Sequence, residues 1–270
     1  MTVARASKNQ IKEIRALRLK KRRDETRTYL AEGISIVLRA VELGAPIRSI
    51  IYSPELLHSE PAYRAIEAVR GRVPCYEADA EAFASLSDRD NPVGIAAVIA
   101  YADTSPDDLS VGPDSVFVAL DGIRSPGNLG TILRTADGFG CAGMLLVGET
   151  TEQYHPECVK ASMGTLFSVP VARFESSEEF AAWCRERRLA LVTTSCRARD
   201  DITDIAAYPR PAVLLLGAEA TGLSPATLTA GHVQVRIPMR GSASSLNVAV
   251  AAGILLYDIM SKPVCKRRQA

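Results

Sequence analysis

The 270-residue chain has no apolar run near the roughly 18 residues that a membrane-crossing helix needs. Its basic N-terminus also lacks the apolar segment of a secretory signal. The expected compartment is therefore the cytoplasm, with no membrane partner. Histidine is scarce, at three, and none of the six cysteines (Cys75, Cys141, Cys158, Cys184, Cys196 and Cys265) forms a CxxC pair. That spacing argues against zinc, so no metal is expected, and scattered thiols of a reducing compartment are the plainer reading. The G-x-G-x-x-G fingerprint of ordinary dinucleotide-binding folds is missing, as are internal repeats and low-complexity tracts. What remains, 47% hydrophobic and 23% charged, is the composition of a globular protein.

The net charge of +1 conceals an asymmetry. Residues 1–27 carry ten Lys and Arg against Glu13, Asp24 and Glu25, a net of +7, which leaves −6 on the rest. A basic arm on a mildly acidic body points to a polyanionic partner, against the plainer alternative of a solvated helix face. Its candidate contacts are Arg5, Lys8, Lys12, Arg15, Arg18, Lys20, Lys21, Arg22 and Arg23. Ile11, Ile14, Leu17 and Leu19 recur among these cations, which predicts a basic amphipathic helix over 8–22.

A second helix is predicted from Tyr29 to Leu43, ended by Gly44. A strand follows at 47–52, a helix at 61–71 and a β-rich run at 93–101, so this part reads as a small α/β domain. Residues 102–115, ADTSPDDLSVGPDS, have linker composition. The expected division is 1–102 as a first domain, 103–114 as linker and 115–270 as the second domain. Strands are predicted there at 116–120, 144–147, 189–194, 212–216 and 233–237, with helices at 129–139, 156–164, 177–187 and 245–261. Apolar strands separated by helices make a parallel sheet covered on both faces.

Three segments of this second part follow strands, where α/β proteins build sites. In LDGIRSPGNLGTILRTADGFG (120–140), Asn128 and Gly130 lie in a turn and Arg134 one helical turn on, an arrangement suited to a phosphate. In LLLGAEATGLS (214–224), Gly217 permits close approach and Glu219 is a carboxylate at a strand end. In RIPMRGSASSLNVAVAAGILLYDIM (236–260), Ser244, Ser245 and Asn247 open a helix that is otherwise nearly all apolar. Capping explains one of those three polar residues but not all. A helix so apolar must be buried on most sides, in a core or a subunit interface.

NLGTILR, GAEATGL, IPM and SLNV, in this order, make the chain resemble the SpoU/TrmH family of RNA ribose 2′-O-methyltransferases, within the SPOUT class. The resemblance covers about 110–262. More loosely, the basic opening, YLAEG (29–33) and NPVGIAAV (91–98) resemble the ribosomal-protein-like substrate-binding domain of the family's larger members. The resemblance implies a parallel-sheet α/β domain with a deep trefoil knot, an exception to the rule against knots, beside a small α/β domain. It implies S-adenosylmethionine as cofactor, held by Gly217, Ile237 and Leu246 with Thr194, Ala218 and Met239 lining the same pocket. It implies a catalytic team of Asn128, Arg134, Glu219, Ser245 and Asn247, and a homodimer built on the C-terminal helix. The implied substrate is large-subunit (23S) rRNA. The alternatives are transfer RNA, a catalytically inactive RNA-binding or ribosome-assembly protein, and an enzyme acting on a small molecule.

Overall fold

The computed structural model describes residues 4–219, 221–224, 227, 228 and 230–265. After β1 (Ala4–Arg5), Ser7 starts α1 (Lys8–Ala16) with a capping box: its hydroxyl accepts from the Gln10 amide, and the Gln10 side chain accepts from the Ser7 amide at 2.8 Å. The continuous helix predicted over 8–22 breaks at Leu17–Leu19, and α2 (Lys20–Thr26) begins from an extended Leu19. Arg23 makes the break. It is 1% exposed, and its Nη1 donates to the carbonyl oxygens of Leu17 at 2.9 Å and Arg18 at 2.7 Å. The guanidinium replaces the amide donors that the end of a helix lacks. This corrects the assignment of Arg23 to the RNA-contacting set, because its side chain is consumed inside the fold.

The helix predicted from Tyr29 to Leu43 is instead β2 (Thr28–Glu32), a turn at Gly33 and α3 (Ile34–Glu42). Burial in TYLAE alternates, as a strand requires, and Gly33 has φ +125°, which L residues rarely adopt. Next come β3 (Ile47–Tyr52), α4 (Glu60–Val69), β4 (Cys75–Glu77), α5 (Ala80–Leu86) and β5 (Ile95–Ala100). The five strands form one sheet in the order β1-β4-β3-β5-β2, with β5 antiparallel to both neighbours. One face buries Ala31, Ile50, Ala97 and Ile99 together with Val37 of α3 and Ile66 of α4. The other packs Ile51 and Ala96 against Ile14 of α1 and Phe83 and Leu86 of α5.

The second sheet starts with β6 (Val116–Asp121), followed by α6 (Pro126–Gly138) and β7 (Gly143–Val147). The chain then returns to the first compact unit, which comprises 1–102 and 154–168. Its α7 (Pro156–Ser162) was predicted among the helices of the second part. Aromatic packing explains the return: Tyr154 stacks on Tyr101 at 3.9 Å, lies 4.8 Å from Tyr29 and accepts from the Ala102 amide at 2.9 Å. After it come β8 (Val171–Phe174), α8 (Ser177–Glu186), β9 (Ala190–Thr194), β10 (Asp200–Asp201), β11 (Tyr208–Pro209), β12 (Ala212–Gly217), β13 (Val233–Arg236), α9 (Val248–Ser261) and β14 (Val264–Cys265).

Seven strands run in the order β10-β13-β9-β12-β6-β7-β8, and every pairing is parallel. One face buries Phe117, Phe174, Phe180 and Trp183, the last two from α8. α9 packs on α6 and β12. The stretch 103–114 belongs to this second unit: Leu109 joins its core, and the Pro106 carbonyl accepts from Trp183 Nε1 at 3.1 Å.

Arg23→Ala should cost about 3 kcal/mol of stability, since it strands two carbonyls and opens a void. The urea midpoint should fall at unchanged m, while Lys12→Ala, on the exposed side of α1, should stay within about 0.5 kcal/mol of wild type.

Candidate active site

Parallel pairing sends the C-terminal ends of β6, β9, β12 and β13 to one edge of the sheet. Thr194, Gly217 and Arg236 end three of these strands, and the chain beyond them encloses a cavity of about 640 Å³. All six residues expected to hold a cofactor, Thr194, Gly217, Ala218, Ile237, Met239 and Leu246, line it. The cavity is mixed in character. Leu216, Leu223 and Leu255 supply apolar wall, while the strand ends present backbone polar groups. Such lining suits a ligand with a flat apolar part and a polar remainder.

Gly217 is required by packing. A Cβ there would stand 2.4 Å from both the Gly222 carbonyl carbon and the Leu223 nitrogen. The turn is closed by the Gly222 amide donating to the Ala218 carbonyl at 2.8 Å, with Gly222 at φ +67°. This turn carries Glu219.

Three of the five expected catalytic residues are joined directly. Asn247 is the N-cap of α9; its Oδ1 accepts from the amides of Ala249 at 2.9 Å and Val250 at 3.4 Å. That duty orients the amide, so Asn247 Nδ2 donates to Asn128 Oδ1 at 3.0 Å. Asn128 Nδ2 then donates to Glu219 Oε1 at 2.9 Å. The relay spans residues 119 and 91 positions apart in the chain and leaves Glu219 Oε2 available. Ser245 and Glu219 both line the cavity. Arg134 is not part of the relay; it stands exposed on α6, with no hydrogen-bond or ion-pair partner among the described residues.

Residues without a sequence motif hold the turn before α6. Thr150 is buried, and its Oγ1 accepts from the Gly122 amide at 2.9 Å and reaches the Leu120 carbonyl at the same distance. Arg173 donates to the carbonyls of Gly148, Thr150 and Thr151 at 3.0–3.2 Å, and burial pulls its guanidinium below the usual value. Burial pushes the Asp121 carboxyl up at the end of β6, opposed by a hydrogen bond from Ser177. Arg197 and Arg236 also line the cavity and were not anticipated. Their positions just beyond β9 and at the end of β13 were the available signal. Among the described residues, no three His, Cys, Asp or Glu gather as a metal site, and no helix is long and apolar enough to cross a membrane.

Residues 115–257 match the SpoU rRNA Methylase family, and residues 8–97 match the MRM3-like substrate binding domain. The 23S rRNA (uridine(2479)-2′-O)-methyltransferase of Streptomyces viridochromogenes is 34% identical over 88% of this chain and 84% of its own. The 23S rRNA (guanosine(2553)-2′-O)-methyltransferase RlmP of Bacillus subtilis is 28% identical over 94% and 97%. Among solved structures, an AdoMet-bound rRNA methyltransferase from Sinorhizobium meliloti superposes with a TM-score of 0.83 at 37% identity, covering 95% of each chain.

Gly217→Ala should lower stability by about 2–4 kcal/mol, because backbone rather than a flexible side chain must yield to the new methyl. Gly241→Ala, with nothing within 4 Å, is the matched control and should change stability by less than about 0.5 kcal/mol in the same urea titration.

Proposed function

The chain belongs to the SpoU rRNA methylase family, and on that premise we propose that it transfers the methyl group of S-adenosylmethionine to a ribose 2′-hydroxyl of 23S rRNA. The observation that carries the chemical reading is the relay Asn247–Asn128–Glu219 beside the 640 Å³ cavity. The residues fit the cofactor: backbone at Gly217 and Ile237, by the strand ends, and at Leu246, before α9, would hold its polar parts, with Thr194, Ala218 and Met239 around it. When bound, that cofactor supplies a methyl group already activated on a sulfonium.

The chain's own task is then to align the ribose oxygen and remove its proton. Glu219, with Oε1 held by Asn128, takes the hydroxyl proton on Oε2 as the oxygen attacks. A guanidinium spreads its charge over three nitrogens and is a poor base, so Arg134 holds the phosphate beside the target ribose. Ser245 and Asn128 orient the hydroxyl. Asn247 couples this arrangement to α9 through its capping bonds.

The substrate assignment rests on the relatives named for 23S rRNA and on the match of 8–97 to a substrate binding domain. Arg5, Lys8, Lys12, Arg15 and Lys21 are exposed and are the phosphate contacts. Arg18, Lys20 and Arg22 carry ion pairs to Asp88, Asp24 and Glu13, and contribute to the field more than to direct contact. The order β10-β13-β9-β12, in which β13 enters between two earlier strands, supports the trefoil-knotted threading. With ribosomal RNA as substrate, the compartment that goes with this reading is the cytoplasm.

Tritiated S-adenosylmethionine offered with unmodified 23S rRNA and transfer RNA transcripts should label the 23S rRNA. Efficient labelling of transfer RNA alone would transfer the assignment there, and labelling of neither would favour a non-catalytic RNA-binding protein. In the same assay Arg134→Ala should fall below about a hundredth of the wild-type rate. A residual rate above a tenth would put less than about 1.4 kcal/mol at stake and sink its role.

The protein is a homodimer in this reading. α9 buries Ala252, Leu255, Leu256 and Ile259, yet leaves Val250 at 52% and Tyr257 at 66% exposed. These lie seven residues apart on one face, an apolar stripe left open among the described residues. Light scattering at micromolar concentration should return about twice the chain mass of 29.0 kDa, and a value near one chain mass would defeat the dimer.

A further inference from the structure

The five-stranded sheet of the first unit carries a cavity of its own, about 320 Å³ in volume. It opens on the sheet face that α1 and α5 cover only in part. Their side chains seal Ile51 and Ala96; next to that patch, Ser49 and Val98 are register partners and both line the cavity with Tyr76 of β4. Its deep side is apolar, with Ile14 and Leu17 buried. Its outer side is polar, with Asn9 and Arg48 exposed. Arg48 has no hydrogen-bond or ion-pair partner among the described residues. The one lining acid, Glu13, is ion-paired to Arg22, which also lines the cavity.

We propose that this cavity takes a single unpaired nucleotide of the RNA substrate, its base on the Tyr76 ring and its phosphate on Arg48. This rests on the methyltransferase reading above. The contents favour a nucleotide over a purely apolar ligand. An aromatic ring offers a stacking surface that any base can use, amide and hydroxyl groups can read a base edge, and a free guanidinium matches a phosphate. The surroundings favour a polyanion, because α1, which supplies part of the lining, also presents Lys8, Lys12 and Arg15 to solvent. The volume lies at the small end for ligand sites, enough for one residue of a strand and too little for a duplex. Sequence-selective RNA recognition targets such splayed bases in loops and bulges.

The test uses the full chain and an unmodified 23S rRNA transcript. Tyr76→Ala should weaken binding about tenfold at fixed salt, and Tyr76→Phe, which keeps the ring, should restore it to within about twofold. Arg48→Gln should flatten the log–log salt dependence by about 0.7 to 0.9, the share of one phosphate contact. None of the three should alter the affinity for S-adenosylmethionine measured by calorimetry. Ultraviolet cross-linking of the wild-type complex should attach RNA to the peptide of β4 that contains Tyr76. Wild-type binding by both Tyr76→Ala and Arg48→Gln, or cross-links confined to other peptides, would overturn the proposal. Should Tyr76→Ala fail to fold, the exposed Arg48→Gln and the cross-link decide. If the wild-type protein methylates the transcript while the variants bind as wild type does, this inference falls alone. If the wild type methylates no RNA, the functional reading falls first.

Discussion

Parallel hydrogen bonding between β6, β12, β9 and β13 is the constraint on which the site depends. Because all four run the same way, their C-terminal ends emerge at one edge, and the residues that leave them are neighbours whatever their separation in sequence. Leu216 and Gly217 of β12 sit beside Leu120 and Asp121 of β6, and Val235 of β13 sits beside Thr194 of β9. The cavity is the space these exits share. Strand interiors of alanine, valine and leucine, buried on both faces, hold this geometry and leave the polar chemistry to the loops.

Within that space one side chain has two duties. Asn247 caps α9 and presents its amide to Asn128, so the helix end and the relay share a single orientation. Asn128 in turn lies in the first turn of α6, where the N-cap Ser125 hydroxyl accepts from its backbone amide at 3.3 Å. The Asn247–Asn128 pair is therefore tied to the first turns of two helices that pack on each other. Thr150 and Arg173 supply the same service for the turn before α6, from a loop that carries no motif. Preorganisation of this kind is how a site avoids reordering its groups at the moment of reaction.

The first unit uses cations in two distinct ways. Arg23 is spent inside the fold on the carbonyls at the end of α1, whereas Lys8, Lys12 and Arg15 remain on the surface. Charge counting treats these as equal. Burial separates them, because a guanidinium with five donors can close a helix end that a lysine could not close as well.

The resemblance to a known family named which residues would meet in the cavity, whereas the sequence by itself determined the parallel α/β character of the second part and the strand ends at Thr194 and, one residue short of the observed Gly217, at Leu216. These are local properties: apolar runs of strand length and turn residues in motifs with fixed spacing. Tertiary structure alone decided the rest. It turned Thr28–Glu32 into a strand, because pairing with β5 outweighed a helical pattern that Gly33 could not continue. It drew Tyr154–Ser168 into the first unit through stacking on Tyr101, a contact across some fifty residues that no local signal records. It fixed the direction of each amide in the Asn247–Asn128–Glu219 relay. A side-chain hydrogen bond between residues about a hundred positions apart depends on where whole strands and helices come to rest, which only the packed fold specifies.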